Sequence, residues 1–575
     1  MLKLFRFLKP YSFMIGLVLI FIFLQTLGDL YLPTLMGDII NQGVMQGNTG
    51  KILQIGGMML LVTAAGVVCA IVASYLSSRI SVGFGTTLRS KVFRKVEDFS
   101  LHEFDKFGTA TLITRSTNDI FQIQMVTIMI MRMMISAPMM AIGGTILALR
   151  RDRTLTLVLV FALPVLAGVV ILIASKMIPL FRSVQKKIDK INRVLREKLT
   201  GVRVIRAFNT TEREEKRFGE ANDDLTNTYI KVNRIMAFMM PTIMTIMSLT
   251  QLSILWFGGH RISQGDMDLG ALSSFTQYAI QIMMSMLMLA VMFIMVPRAQ
   301  AAAARINEVL DIHPEIVDPE ETEEAYLGKG HIEFRDVTFR YHGAEMPVLR
   351  NISFTAGPGE VTAIIGSTGS GKSTLVNLIP RFYDIESGSI LINSVDIREL
   401  KQESLRSRIG FVPQKAVLFS GTIADNIRVG KEDATDEEIR HAAMVAQAAE
   451  FIEEMDEGYE HEIAQGGTNV SGGQKQRLSI ARALVRKPEI YVFDDSFSAL
   501  DFKTDAKLRQ ALKKEIAEAS VIIVTQRVGT VMDADRIIVL DDGKVSGIGT
   551  HKSLLETCRV YREIVESQLS EEEIA

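Results

Sequence analysis

The sequence predicts a multidomain membrane protein. Residues 1–310 form a six-helix all-α transmembrane domain, 311–330 a linker, and 331–575 an α/β domain with a helical subdomain. Three observations predict it. Six apolar runs of bilayer-spanning length lie before Pro297. A glycine-rich stretch, Gly366–Ser373, stands between a short apolar run and a helix-forming one. Far downstream, Ile490–Asp494 reads as a buried strand that ends in a carboxylate.

The six runs are Phe13–Leu32, Leu53–Ala73, Thr127–Ala148, Leu155–Met177, Met236–Gly258 and Ala271–Val296. Each has about the 20 apolar residues that a helix needs to cross a bilayer. The first lacks a small-residue cleavage pattern and is expected to remain as an anchor. Links after the second and fourth runs are long and basic, with Arg89, Lys91, Arg94 and Lys95 in one and Arg182, Lys186, Lys187 and Lys190 in the other. With Lys3, Arg6 and Lys9, they put the N-terminus, both links and the C-terminal half in the cytoplasm of a plasma-membrane protein. Arg150, Arg151 and Arg153 sit in a turn that this topology places outside, against the rule.

Ile188, Ile191, Val194, Leu195 and Leu199 recur at helical spacing, so the links are expected to be helices continuing beyond the bilayer. Their tips, near His102–Phe107 and Phe208–Glu212, are positioned to touch a cytoplasmic domain. Asp29 and Arg132 lie inside runs one and three, where a charge faces a water-filled path, a substrate or a helix partner. Methionine clusters at 129–134, 239–247 and 283–295 would suit either an adaptable apolar cavity or ordinary packing. A formal charge of −2 shows no basic excess for nucleic acid, and two distant cysteines have no metal-ligand spacing.

Asp311–Glu324 is acidic and contains Pro314 and Pro319, as a linker would. Ile332–Tyr341 then alternates like a half-buried strand. Val361–Ile365, the loop Gly366-Ser367-Thr368-Gly369-Ser370-Gly371 and the run Lys372-Ser373-Thr374 read as strand, phosphate-binding loop and helix. Backbone amides and the helix start favour phosphate, Lys372 reaches the terminal phosphates of ATP, and Ser373 ligates Mg²⁺. Asp494 supplies a second oxygen on the metal side, through water. Ser471 is positioned as the N-cap of a helix over Leu478–Val485, and Gly472 and Gly473 expose amides there, making a second anion site. One ATP does not easily use both anion sites of one small domain, whereas two domains facing head to tail could share them.

Phosphate loop, Gln414, Ser471-Gly472-Gly473-Gln474 and Ser498-Ala499-Leu500-Asp501 occur in an order and spacing that resemble ATP-binding cassette exporter half-transporters over nearly the full length. Glu103–Gly108 and Gly201–Phe208 resemble that family's intracellular loops. The resemblance implies a dimer that sandwiches two ATP molecules. In it Tyr341 would stack on adenine, Gln414 would sense Mg²⁺, and Asp501 would lie across the dimer contact.

Two positions depart from the family's pattern. Asp495 stands where a catalytic glutamate follows Asp494, and Gln526 stands at the switch histidine. Gln465 also replaces a frequent glutamate before the signature. The shorter carboxylate retreats by roughly one C–C bond, ~1.5 Å. A general base out of reach forfeits on the order of 10²–10⁴-fold. Gln526 can hydrogen-bond phosphate but cannot carry a proton. The expectation is therefore a heterodimer: this chain's own site holds ATP with little turnover, while its Ser471 and Gly473 complete the competent site of a second half-transporter. Amphipathic drugs or lipids are the expected substrates. A dedicated peptide or lipid translocator and an ATP-gated channel are the alternatives.

Overall fold

The computed structural model describes residues 1–319 and 330–569 and divides into two compact units. Half of the expected linker, residues 320–329, and the last residues of the expected C-terminal domain lie outside the described residues. One unit comprises Met1–Glu97 and Thr109–Ile312, the other Asp98–Gly108 and His313–Ala575. The tip of the first long link thus groups with the C-terminal unit.

The first unit is a bundle built on six helices long and apolar enough to cross a membrane. The second spans Thr49–Glu97, the fourth Arg153–Thr200 and the fifth Thr211–Ser263, of 49, 48 and 53 residues. At 1.5 Å per residue the 49-residue helix is about 73 Å long, more than twice a hydrocarbon core of ~30 Å. The expectation that the links are continuing helices is met. Large apolar side chains such as Leu61, Phe161 and Trp256 point outward, because the solvent for this unit is lipid.

At the turn between the third and fourth helices, Asp152 caps the fourth helix by accepting from the backbone N of Leu155 at 2.8 Å, and it takes an ion pair from Arg261 Nε at 2.9 Å. Arg151 approaches Asp38 at 3.9 Å. Of the turn's arginines, Arg151 thus has a carboxylate, Asp38, within ion-pair reach. Elsewhere in the bundle, Arg305 forks onto the fully buried Asp119 at 2.5 and 2.7 Å. That pair fastens the end of the sixth helix to the start of the third.

The second unit is layered. A six-stranded sheet runs in the order Lys544–Gly549, Arg536–Asp541, Val361–Gly366, Ser520–Val524, Ile490–Asp494, Ile409–Val412. Every pairing in it is parallel except that of the edge strand Lys544–Gly549. Strands Ser520–Val524 and Ile490–Asp494 are buried throughout, as strands covered on both faces must be. A four-stranded antiparallel sheet packs nearby. Its strand Ile332–Phe339 alternates until Arg335 and Asp336 are both exposed. There Asp336 takes φ +48° and the register slips, a bulge that restores the alternation. Helices Ile423–Arg428, Asp436–Val445, Ala449–Glu453 and Gly472–Val485 share one apolar core and form the helical subdomain.

Candidate functional site

The phosphate loop connects a central strand, Val361–Gly366, to the short helix Lys372–Leu378. Gly369 and Gly371 have φ of +85° and +98°, which any residue with a Cβ adopts only under strain. A Cβ on Gly371 would also meet Leu349 Cδ2 at 2.8 Å, and one on Gly366 would strike the Leu540 carbonyl. The loop is therefore held open by backbone alone, as a cradle of amides for an anion must be.

Lys372 is buried, and its Nζ donates to the carbonyls of Gly366 and Ser367 at 2.8 and 2.7 Å. Burial lowers its pKa, and the nearby Asp495 and Asp494 carboxylates oppose that shift. Ser373 Oγ donates to Asp494 Oδ1 at 3.0 Å. Burial raises the Asp494 pKa; the Ser373 hydrogen bond lowers it, Asp495 pushes it further up, and Lys372 draws it down. A buried carboxylate destabilised in this way is suited to receive a cation. Oxygens of Ser373, Asp494 and Gln414 are the chemistry a hard divalent ion requires, so Mg²⁺ fits the donor set. Bound there, the ion would offset phosphate charge.

Asp495 follows directly, but in a left-handed conformation with φ +46°. Its backbone N donates to the Val524 carbonyl at 2.9 Å and its carbonyl accepts from Ser498 Oγ at 2.9 Å, so the backbone is pinned on both sides. Gln414 Nε2 donates to Asp495 Oδ2 at 3.3 Å. One pocket of about 250 Å³ is lined by Thr368, Gly369, Gly371, Lys372, Ser373, Thr374, Gln414, Asp494, Asp495 and Gln526. These expected residues thus line one pocket, with Val348, Val524 and Thr525 completing the wall, whereas the expected Gly366, Ser367 and Ser370 of the loop are not among its lining residues.

Four expected groups are not among the residues lining that pocket. Tyr341 sits beside Thr374, hydroxyl to Oγ1 at 3.0 Å, with its ring edge-on to Phe339 and Tyr383. Ser471 caps the helix Gly472–Val485 through a capping box: its Oγ accepts from Gln474 N at 3.3 Å, and Gln474 Oε1 accepts from Ser471 N at 2.8 Å. Ser471, Gly473 and Gln474 are not among the residues lining the pocket. Gln465 lies in a short turn, Gln465–Gly467, ahead of that helix. Asp501 caps the helix Phe502–Glu515, and the exposed Phe502 beside it is 83% accessible.

Sequence reading passed over Ser496 and Gln476. The buried Ser496 hydroxyl donates to the Val412 carbonyl at 3.1 Å, tying the strand that carries Asp494 to the strand that leads to Gln414. Gln476 donates to the Pro413 carbonyl at 3.4 Å from the signature helix. A polar residue at each of these positions was the available signal, but neither spacing nor motif says what it touches.

Comparison with known proteins covers both units. Residues 15–286 match the family described as ABC transporter transmembrane region, and 349–498 match the family described as ABC transporter. The chain is 44% identical to the ABC transporter ATP-binding protein MT1311 of Mycobacterium tuberculosis, covering 98% of this chain and 97% of that one. It is 39% identical to YfiB of Bacillus subtilis over 100% of this chain and 99% of that protein. The ATP-dependent lipid A-core flippase of Syntrophus aciditrophicus is 32% identical over 88% of this chain and 83% of its own length. A solved bacterial Atm1-family ABC exporter with ATP bound superposes with a TM-score of 0.81 at 25% identity, covering 96% of this chain and 98% of that one.

Proposed function

The chain belongs to the ABC transporter family, with an exporter's membrane region and ATP-binding domain, and from that premise we propose that it is the ATP-holding subunit of an unlike pair. The observation that carries the proposal is the phosphate pocket itself. Its binding side has the open loop, Lys372 and the Ser373–Asp494 oxygens. Its hydrolytic side has Asp495 and Gln526, a short carboxylate on a pinned backbone and a side chain that cannot accept a proton.

In this reading Lys372 and the loop amides bind phosphate, and Ser373, Asp494 and Gln414 hold Mg²⁺. Asp495, bonded to Gln414, falls short of an attacking water. Ser471 and Gly473 of this chain face the nucleotide of the partner subunit, whose own glutamate performs hydrolysis. Exposed apolar groups support a partner surface: Phe502 beside Asp501, and Phe208 at the second link's tip, which is 76% accessible. The N-terminus and ATP-binding domain would lie in the cytoplasm, and the cargo would be an amphipathic compound such as a drug. Similarity to a protein named as a lipid flippase favours lipid as the second cargo.

The test is purification of the chain with its natural partner. A second half-transporter should accompany it, with glutamate after the aspartate of its own metal-binding strand. A homodimer of this chain with full ATPase and transport activity would overturn the proposal.

A further inference from the structure

Gln526, at the switch position, is held in place by a residue beyond the last described helix. The strand Ser520–Val524 delivers Thr525 and Gln526 to the phosphate pocket, and the four-residue helix Val528–Val531 follows at once. The first amides of a helix have no partner within it, and the N-cap residue here, Arg527, makes no side-chain capping bond. Gln568 fills that place. Its Oε1 accepts from the Val528 backbone N at 2.9 Å, and its Nε2 donates to the Gln526 carbonyl at 2.7 Å. One side chain thus grips the backbone on both sides of Arg527. The grip needs a donor and an acceptor on one flat group, which a primary amide supplies and an ammonium or an ionised carboxylate does not.

The gripping residue is itself anchored. The helix Arg559–Glu566 buries Tyr561 and Val565 completely. They share an apolar core with Ile365, on the strand that enters the phosphate loop, and with Val528 and Val531. The backbone N of Gln568 donates to the Val565 carbonyl at 3.0 Å, which fixes where the side chain departs. On the other side of the grip, Arg527 Nη2 donates to the Ser498 carbonyl at 2.8 Å, and Ser498 Oγ donates to the Asp495 carbonyl at 2.9 Å. One run of bonds therefore ties the backbones of Gln526 and Asp495 to the end of this helix. Gln568 is exposed, so a change confined to its side chain leaves the packing of Tyr561 and Val565 in place.

We infer that Gln568 is a positioning residue for the nucleotide site: by gripping the backbone of residues 526–528 it holds the Gln526 amide towards the terminal phosphate of ATP. The inference rests on the reading above that gives Gln526 a hydrogen bond to that phosphate. ADP, which lacks the terminal phosphate, should be indifferent to the grip.

The test uses the full-length complex with its partner, kept on ice. Radiolabelled azido-ATP is cross-linked to the complex, and the band of this chain is resolved from that of the partner. Unlabelled ATP and ADP compete for the label, and the ratio of their half-displacing concentrations gives the preference for ATP. Gln568→Leu keeps the bulk and removes both bonds. It should lower the preference about fivefold, the scale of the lost hydrogen bonds, with ADP binding unchanged. Gln526→Ala should lower it at least as far. Adding Gln568→Leu to Gln526→Ala should then bring no further fall, because nothing is left to position. A merely structural role would weaken ATP and ADP together and would add to the effect of Gln526→Ala. Either of those results, or an unchanged preference in Gln568→Leu, would overturn the inference. A preference that survives Gln526→Ala would instead sink the reading of Gln526 itself, and the inference with it; a fall with Gln526→Ala alone would leave that reading standing and remove only Gln568.

Discussion

Asp495 is one methylene shorter than a glutamate, and in the proposed reading its pinned, left-handed backbone prevents the chain from sliding forward to compensate. Asp495→Glu should therefore raise turnover at this site only slightly, because Gln526 still cannot shuttle a proton. Adding Gln526→His should produce a larger, non-additive gain, up to the 10²-fold order of a restored general base. The check is the ATPase rate of a complex whose partner glutamate has been changed to glutamine; an unchanged rate in the double variant would place the defect outside these residues. Asp494 yields a prediction of opposite character. Burial raises its folded-state pKa above the unfolded value, so the folded state prefers the protonated form. Stability is then lost as pH rises through the interval between those values. At neutral pH, Asp494→Asn should raise the melting temperature of nucleotide-free protein while abolishing the further rise that Mg-ATP gives. Calorimetry with and without Mg-ATP reads both effects. Asp494, Lys372 and Ser373 were legible because their motif fixes spacing and chemistry together. The strained φ of Asp495 and the Ser496 bridge to Val412 were not, because they depend on which strands become neighbours.

Among the elements, the short helix Leu101–Phe107 is informative because it groups with the C-terminal unit rather than with the helices that flank it in sequence. Its start is a capping box: Ser100 and Glu103 bond reciprocally, and Glu103 also accepts from the backbone N of Glu315 at 3.0 Å. Burial pushes the Glu103 carboxyl up, but the bonds from Ser100 and Glu315 outweigh it and hold the pKa below its ordinary value. The stabilisation is thus present above the unfolded glutamate pKa and is lost as pH falls through the lower folded value. Glu103→Ala should cost about 1 kcal/mol locally, roughly a fivefold faster amide exchange over residues 100–108. Glu103→Gln should keep the cap and lose its acid sensitivity. Hydrogen exchange at neutral and acidic pH distinguishes them, and identical exchange in all three proteins would remove the cap from the account. The link's tip was legible as a tip, since charges and apolar residues there break the span pattern. Its contact with Glu315 was not, because more than two hundred residues separate the partners and no periodicity reports long-range pairing.

At the scale of the whole assembly, the phosphate loop and the second anion site proposed at Ser471 lie on different elements of the ATP-binding unit, and only the loop lines the phosphate pocket. In an unlike pair they serve different nucleotides, so damaging them should produce different failures. Lys372→Ala removes the cation nearest the loop carbonyls. It should weaken ATP retention at the slow site by at least tenfold yet leave much of the steady-state turnover, which the partner's site supplies. Ser471→Arg destroys the capping box and places a bulky side chain where the partner's terminal phosphate would dock. It should reduce turnover of the complex by about 10²-fold or more, the scale of losing oriented donors to a transition-state charge, while slow-site retention persists. Trapping of radiolabelled ATP and phosphate release, measured on the same preparations, separate the two quantities. In a symmetric homodimer each variant would hit both sites alike, so retention and turnover would fall together whichever residue was changed. That parallel loss is the result that would dissolve the division of labour argued from Asp495, Gln526 and the intact helix cap at Ser471.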